Sequence, residues 1–153
     1  MHEDLISKFP NVLKNALKEQ LVNLPSDVKT KYCPVIAYRG VSLNLISDDG
    51  SFDPEAFYSQ IELKNKYPNK RNLKDLSEKE VSNYSCSLFW DIQKLNIYMR
   101  MPRKNKATIR GKVICEKGAA AFNQENTHIN WWLYDGANET VGKNFEVINN
   151  EKK

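Results

Sequence analysis

The chain has 153 residues, the ordinary size of a single domain, and its 41% hydrophobic and 27% charged residues are typical of a globular protein. The formal net charge is only +4, so composition alone does not predict a nucleic-acid partner. No apolar run approaches the ~18 residues of a membrane span, which argues against a membrane partner. No signal-peptide core follows the N-terminus, and we therefore expect a cytoplasmic protein. The abundance of Lys and Asn favours an AT-rich bacterial or phage source.

The first predicted element is a helix over residues 10–24, because its apolar residues fall on one stripe. A strand is predicted over residues 33–41, which are β-branched and aromatic. The following "SDDGSFD" is predicted to turn the chain, and Asp53 before Pro54 to cap a helix over residues 54–64. The stretch around Pro68 is a loop, and "SEKE" from Ser77 matches a capping box that opens one or two helical turns.

The second half begins with a predicted helix capped by Ser87 and ended by Pro102. Its buried side would hold Leu88, Phe89, Ile92, Leu95 and Met99. Alternation predicts a half-buried strand over residues 107–117, broken by Gly118, and further strands over residues 128–134 and 145–148. Residues 1–3 and 149–153 are expected to be frayed.

This order of elements predicts an α+β fold. We expect one domain over residues 1–153, in which N-terminal helices pack on a mixed or antiparallel sheet formed mainly by the C-terminal half. The family resemblance described below would make that sheet a split one.

The strand "HINWWLY" has two different faces. Ile129, Trp131 and Leu133 lie on one face, and His128, Asn130, Trp132 and Tyr134 on the other. We expect Trp131 to be core. The second face is polar and aromatic, which is typical of a ligand cleft or a partner interface, but a sheet face covered by a helix has the same pattern.

Several familiar chemistries are absent from the sequence. Cys33, Cys86 and Cys115 form no C-x-x-C pair, and with only two histidines they argue against a zinc site. As reduced, mostly buried cysteines they fit the cytosol. The aspartates of "SDDGSFD" lack calcium-loop spacing, and no glycine-rich phosphate loop is present. We therefore expect neither a metal nor a cofactor.

His128 has the pKa range of a general base, and Ser85, Cys86, Ser87 and Glu125 are available as its partners. No G-x-S-x-G elbow surrounds the serines, and the sequence does not set their distance from His128. A structural histidine is the alternative interpretation, and no catalytic residue is assigned.

Positive charge is concentrated in two segments, residues 64–74 and residues 100–117. The second segment contains seven Lys and Arg residues against one acid, Glu116. Either segment could attract phosphate or an acidic protein surface, and the alternative is a solvated face. The candidate nucleic-acid contacts are Lys70, Arg71, Arg103, Lys104 and Lys106.

Arg39 in "AYRGV" is followed by Ser85 and Ser87 in "SCS", then by a helix and a strand-rich end. This layout resembles the ADP-ribosyltransferase family with Arg…Ser-x-Ser…Glu motifs. The resemblance implies a small split-sheet fold with a cleft for a dinucleotide such as NAD. It also implies that Arg39 meets a phosphate and that a serine of the motif helps to place the nicotinamide ribose.

One motif of that family has no counterpart here. The family carries Glu-x-Glu or Gln-x-Glu on a later strand, whereas the corresponding strand, residues 127–134, has no glutamate. Gln124 and Glu125 are adjacent and lack the intervening residue. A carboxylate is needed there to stabilise positive charge developing at the ribose, and Asn130 cannot supply it.

Three functions stay open at this point. The first is a non-enzymatic binding or accessory module with a protein or small-molecule ligand. The second is an ADP-ribosyltransferase-like enzyme or pseudo-enzyme that holds NAD, with Glu125 as its only nearby acid, and the third is a nucleic-acid-binding protein. The candidate cleft residues are Arg39, Ser85, Ser87, His128, Trp132 and Tyr134.

Overall fold

The computed structural model describes residues 3–150, which form four α-helices and one six-stranded antiparallel sheet. The helices are α1 (Glu3–Ile6), α2 (Asn11–Lys18), α3 (Gln60–Lys66) and α4 (Ile92–Tyr98). The strands are β1 (Val35–Ser42), β2 (Cys86–Phe89), β3 (Lys106–Val113), β4 (Gly118–Phe122), β5 (His128–Leu133) and β6 (Phe145–Asn150). The predicted α+β class is confirmed, and the sheet lies mostly in the C-terminal half.

The sheet is opened between its two central strands. Its order is β4-β5-β2-β1-β3-β6. β1 pairs with β3 from Val35↔Val113 to Ser42↔Lys106, but β1 and β2 meet only at Tyr38↔Phe89. On either side of that pair the main-chain groups of the facing edges need other partners.

Both faces of the sheet are covered, and the two tryptophans of β5 lie on opposite faces, as predicted. One core contains Trp131, Leu88, Ile109 and Phe145, among others. α1 and α2 cover the other face over Trp132, while a small cluster of Phe89, Leu95 and Met101 lies under α4. Trp131 is 0% exposed and Trp132 is 1% exposed, so both rings are core.

The N-terminal helices are shorter in the structure than the apolar pattern of the sequence predicts. α2 ends at Lys18 because Gln20 has a left-handed backbone (φ 60°). The helix predicted over residues 54–64 is divided in two by Ser59, whose side chain accepts from the Glu62 N–H and so starts α3 with a capping box. Asp53 caps the preceding 3₁₀ turn, as predicted.

The capping box predicted at Ser77 is wrong. The Ser77 hydroxyl accepts from the Lys79 N–H at 3.1 Å, and these residues form turns rather than a helix.

The helix predicted after Ser87 is also wrong in its first half. Residues 86–89 form β2, in which Leu88 and Phe89 point to opposite faces of the sheet. α4 begins only at Ile92, and the Asp91 carboxylate caps it by accepting from the Gln93 N–H at 2.9 Å. The apolar residues of this segment have a helical spacing, but residues 86–89 pair with the sheet and alternate between its two faces instead.

β4 was not predicted, because a run of alanines has low β-propensity. Its small side chains lie opposite the tryptophans, at Ala119↔Trp132 and Ala120↔Trp131. Gly118 does not break the sheet but starts this strand. A Cβ at Gly118 would lie 2.6 Å from the Trp132 carbonyl oxygen, so this close approach requires glycine.

Part of the chain ends that were expected to be frayed is ordered. Glu3 belongs to α1, and Asn149 and Asn150 pair with β3, while the rest of the expected frayed ends lies outside the described residues. Of the three cysteines only Cys86 is buried; Cys115 is half-buried and Cys33 is exposed. Within residues 3–150 no helix is both long and apolar enough to cross a membrane.

Candidate functional site

Arg39 lies in the gap between β1 and β2, where its half-buried guanidinium donates to three main-chain carbonyls. Nε reaches the Ala56 oxygen at 2.9 Å, one Nη the Ser87 oxygen at 2.6 Å and the other the Tyr58 oxygen at 3.3 Å. The bond to Ser87 takes the place of a missing ladder bond between the two strands. Because a guanidinium has five N–H groups, two of them lie outside these three bonds.

The Ser87 hydroxyl is hydrogen-bonded to Nε2 of His128, which links β2 to β5. The His128 main-chain N–H donates to the Asn126 side chain at 2.9 Å, and the Phe89 ring meets the imidazole edge-on with centroids 5.1 Å apart. Ser87 therefore contacts both residues, Arg39 through its carbonyl oxygen and His128 through its hydroxyl. The Arg39 side chain leaves β1 on the face of Ala37 and Val41, whereas the Ser87 hydroxyl and His128 lie on the opposite face with Tyr38 and Phe89.

A second polar pair lies beside the first. The buried Ser85 hydroxyl is 2.8 Å from the Ser82 carbonyl oxygen and 2.8 Å from the Asn130 amide. The Asn130 atom in contact is Oδ1, so the single hydroxyl proton of Ser85 faces two acceptors, the Ser82 carbonyl and the Asn130 side-chain carbonyl. We call Ser85, Ser87, His128 and Asn130 the serine–histidine site; Arg39 touches it only through the Ser87 carbonyl.

The spacing of these pairs bears on the missing glutamate. Ser85 directly precedes β2 and Ser87 lies two residues later on that strand, and His128 and Asn130 have the same spacing on the neighbouring β5. His128 and Asn130 thus have, on the strand where the resemblance places Glu-x-Glu, the same spacing as that motif. Neither side chain carries a negative charge.

The serine–histidine site has a neutral histidine. Burial lowers the pKa of His128 below its ordinary value, which leaves the imidazole uncharged at neutral pH. Within residues 3–150 no carboxylate is hydrogen-bonded to Ser87 or His128. Glu125 is exposed, and its recorded bond is from its own main-chain N–H to Asn123. With its proton on Nδ1, the imidazole accepts the hydroxyl hydrogen of Ser87 at Nε2.

Trp132 and Tyr134 do not join this site. The Trp132 ring is core under the N-terminal helices, and its Nε1 donates to the Val81 carbonyl at 2.9 Å. Tyr134 lies beyond the far end of β5, against Phe9 with ring centroids 5.6 Å apart and with Lys8 Nζ 5.3 Å from its ring. The face shared by His128 and Trp132 is thus divided between open surface and helix-covered core.

Two hollows in the described part of the chain lie away from the serine–histidine site. One of about 1090 Å³ is lined by α1 and by residues 23–30. The other, of about 210 Å³, is lined by Tyr134, Ser59 and Glu62, among others. Neither hollow includes Ser87 or His128, whose half-buried side chains lie beside the notch left where β1 and β2 separate.

A cluster of cations lies close to this notch, around Lys106 at the start of β3. Its Nζ donates to the Ser42 hydroxyl at 3.3 Å. Burial lowers the pKa of Lys106, and the nearby positive charges of Arg103, Arg39 and Lys70 lower it further. Within residues 3–150 none of these four cations is part of a salt bridge.

The two basic segments therefore both approach Lys106. Lys70 belongs to residues 64–74 and Arg103 to residues 100–117, and both act on Lys106. Arg71 and Lys104 next to them are exposed. The segments were identified separately in the sequence, and only the fold shows that they approach the same residue.

The acidic turn has no sign of a metal site. The Asp49 carboxylate accepts from the Ser51 hydroxyl at 2.6 Å and from the Ser51 N–H at 3.0 Å, which lowers the pKa of Asp49. Within residues 3–150 no three or more His, Cys, Asp or Glu side chains are grouped to hold a metal ion.

Sequence reasoning did not single out Asn130 or Tyr98 as site residues. Asn130 was recognised as facing the same way as His128, but its bond to Ser85 depends on the β2–β5 register. Tyr98, which stacks on Phe89, lies in α4 and was treated as part of a helix end. The available signal was the shared two-residue spacing of "SCS" and "HIN".

Comparisons with known protein families, with curated proteins and with solved structures gave no match to this chain.

Proposed function

We propose that this protein is a non-enzymatic binding module for an NAD-type nucleotide, held at the serine–histidine site with Lys106 beside it. The observation that carries the proposal is the row of uncharged polar side chains on one face of the sheet, Ser87 bonded to His128 and Ser85 to Asn130, where β1 and β2 separate. These side chains can exchange their mutual bonds for bonds to a ligand.

Phosphate groups are the part of such a ligand that the cations would take. Arg39, Lys70, Arg103 and Lys106 are close enough for their charges to act on one another, and none is neutralised by a salt bridge within residues 3–150. Concentrated positive charge of this kind is stabilised by an anion. Arginine and lysine are the usual donors to phosphate oxygens.

The hydroxyl groups and the amide of the nucleotide would meet neutral polar groups. Ser87, His128 and Asn130 each offer donors or acceptors without a charge. Such groups fix the orientation of a sugar or an amide, and a small number of them in a partly apolar surface is typical of ligand sites.

The absence of a carboxylate next to Ser87 and His128 within residues 3–150 supports binding without catalysis. Cleaving a glycosidic bond to nicotinamide builds positive charge at the ribose, and a carboxylate stabilises that charge. A neutral imidazole and an amide do not. The free cysteines support the expectation that the protein works in a reducing compartment such as the cytoplasm.

Titration calorimetry with NAD, and a chromatographic assay for released nicotinamide, test the proposal on the full chain. We expect NAD to bind, and Ser87→Ala and His128→Asn each to weaken it about tenfold, as the loss of one hydrogen bond worth ~1.4 kcal/mol predicts. Lys106→Ala should weaken the binding of NAD by a similar factor. Lys112→Ala, which removes an exposed lysine from the same strand, is the matched control and should bind like the parent.

Two results would count against the proposal. If neither NAD nor ADP-ribose binds at about 1 mM while thermal melts show folded protein, the nucleotide assignment is wrong. If the protein releases nicotinamide and His128→Asn abolishes that release, the site is catalytic.

A further inference from the structure

The last turn of α4 presents an unusual surface. Ile97 is 67% exposed, Tyr98 55% and Met99 42%. The Tyr98 ring lies parallel to Phe89, with centroids 5.7 Å apart and planes within 5°. Phe89 in turn rests against His128. One face of Tyr98 is thus fixed by the protein core, and its exposed side is available to another flat ring.

The chain around this ring is strongly basic. From Ile92 to Cys115 it contains seven Lys and Arg residues and no Asp or Glu. Arg100, Arg103 and Lys104 directly follow α4 and are exposed. The chain does not run away from the helix there, because the N–H of the buried Met101 donates to the Asn96 carbonyl at 3.0 Å.

Positive charge continues from this turn to a second segment. Arg103 and Lys70 are both near enough to the half-buried Lys106 for their charges to lower its pKa, so both segments approach the start of β3. Lys70 and Arg71 are exposed. An exposed, core-supported aromatic ring therefore lies at one end of a track of cations that comes from two separate parts of the chain.

We propose that this track binds single-stranded nucleic acid, with one base stacked on Tyr98 and the phosphates of the following nucleotides on Arg100, Arg103, Lys104 and Lys70. We call these five residues the α4 surface. None of the five belongs to the serine–histidine site, but Lys70 and Arg103 are also among the cations that the proposed function assigns to phosphate, so Tyr98 is the residue that distinguishes the two proposals.

Single strands fit the α4 surface better than duplexes for two reasons. A tyrosine ring can stack only on a base whose face is exposed, and a duplex buries its base faces. A duplex would instead need a helix that reaches into a groove, but α4 has seven residues and ends in apolar side chains. Stacking and phosphate contacts together give binding with little sequence preference.

Fluorescence anisotropy of a labelled 12-nucleotide oligo(dT), and of a duplex of the same length, tests the proposal on the full chain. We expect the single strand to bind more tightly than the duplex. Tyr98→Ala should weaken it about tenfold or more, and Tyr98→Phe should keep the affinity because the stacking ring is retained. Replacing both Arg103 and Lys104 by alanine should reduce the slope of log K against log salt by about 1.4, or ~0.7 per phosphate.

The controls separate a local effect from a general one. Lys18→Ala removes an exposed charge from α2, which packs over the Trp132 cluster rather than over Phe89 and Leu95, and should leave oligo(dT) binding unchanged. Since Tyr98 is more exposed than buried, Tyr98→Ala should retain a cooperative thermal melt. NAD binding by Tyr98→Ala should stay at the parent level, so failure here and failure of the proposed function are told apart.

Three outcomes would overturn the proposal. The first is no binding of oligo(dT) at low salt. The second is binding that Tyr98→Ala leaves intact, or that the duplex matches. The third concerns vesicles of phosphatidylcholine and phosphatidylglycerol. If the parent protein sediments with these vesicles, Tyr98→Ala does not, and oligo(dT) does not bind, then the α4 surface binds lipid rather than nucleic acid.

Discussion

Trp131 and Trp132 occupy consecutive positions but have different surroundings. Trp131 lies opposite Cys86 on β2 and packs near Phe145 in the core of the first face. Trp132 lies in the second core and satisfies its indole N–H at Val81. Strand alternation alone accounts for this division, which is why the sequence sufficed to predict it.

Trp131→Ala should lower the free energy of unfolding by roughly 3–5 kcal/mol, because it leaves a large cavity among residues that cannot collapse into it. Urea denaturation followed by circular dichroism measures this. Ile97→Ala, at a 67% exposed position, is the control and should change the value by less than about 0.5 kcal/mol. A Trp131→Ala midpoint equal to that of the parent would show that the ring is not core.

His128 should make stability depend on pH. Burial lowers its folded-state pKa below the unfolded value of about 6.5, so the unfolded chain takes up a proton first on acidification. The stabilisation is fully present above pH ~6.5 and is lost as the pH falls from there through the folded-state pKa.

Thermal melts between about pH 7.5 and pH 5 check this expectation, with His128→Gln as the comparison. The melting temperature of the parent should fall more on acidification than that of the variant, because glutamine does not titrate. Parallel curves for the two proteins would mean that His128 has an ordinary pKa. The difference between the curves isolates His128 from the other groups that titrate in this range.

At the scale of elements, the junction of β1 and β2 depends on one side chain. Sequence reasoning gave Arg39 a role in ligand binding, and in the structure its guanidinium also holds carbonyls of two separate parts of the chain, residues 56–58 and Ser87. Arg39 therefore contributes to the stability of the fold. A pattern of residues on one strand cannot reveal this contribution, because the partners of Arg39 are 17 and 48 residues away.

Arg39→Ala should therefore lower the free energy of unfolding by roughly 2–4 kcal/mol, since it leaves three main-chain carbonyls without their charged donor. Arg39→Lys should recover only part of this, as one ammonium cannot reproduce the planar fork. Urea denaturation measures both, with the exposed Arg71→Ala as the control. An unchanged midpoint for Arg39→Ala would remove Arg39 from the junction.

The same junction explains which elements could be predicted. β1, β3 and β5 carry clear alternation or β-branched and aromatic residues, and they formed within a few residues of the expected bounds. β2 has apolar residues at a spacing that also suits a helix, and β4 is mostly alanine. Their strand state comes from pairing with β5, which tertiary structure supplies and local propensity does not.

At the scale of the whole molecule, the order of elements was enough to predict the fold class and the location of the sheet. It was not enough to predict which of the candidate site residues lie close together. Arg39, Ser87 and His128 were all singled out in the sequence, and Ser87 contacts the other two because β2 lies between β1 and β5, with Arg39 and His128 on opposite faces of the sheet. Trp132 and Tyr134 shared the strand face of His128 but are separated from it by helices from the far N-terminus. Which side chains share a surface depends on what covers each part of the sheet.

The strand order also has a consequence for how the chain is made. β1 and β2, in the middle of the sheet, are synthesised first, but β3 and β5, which hold them along their length, come later in the chain. A nascent chain that has been synthesised only as far as Phe89 contains both central strands, but these pair with each other at a single position, Tyr38↔Phe89. The sheet must therefore assemble late, once β3 and the β4–β5 hairpin are complete, and a ribosome-bound intermediate would expose two apolar strands until then.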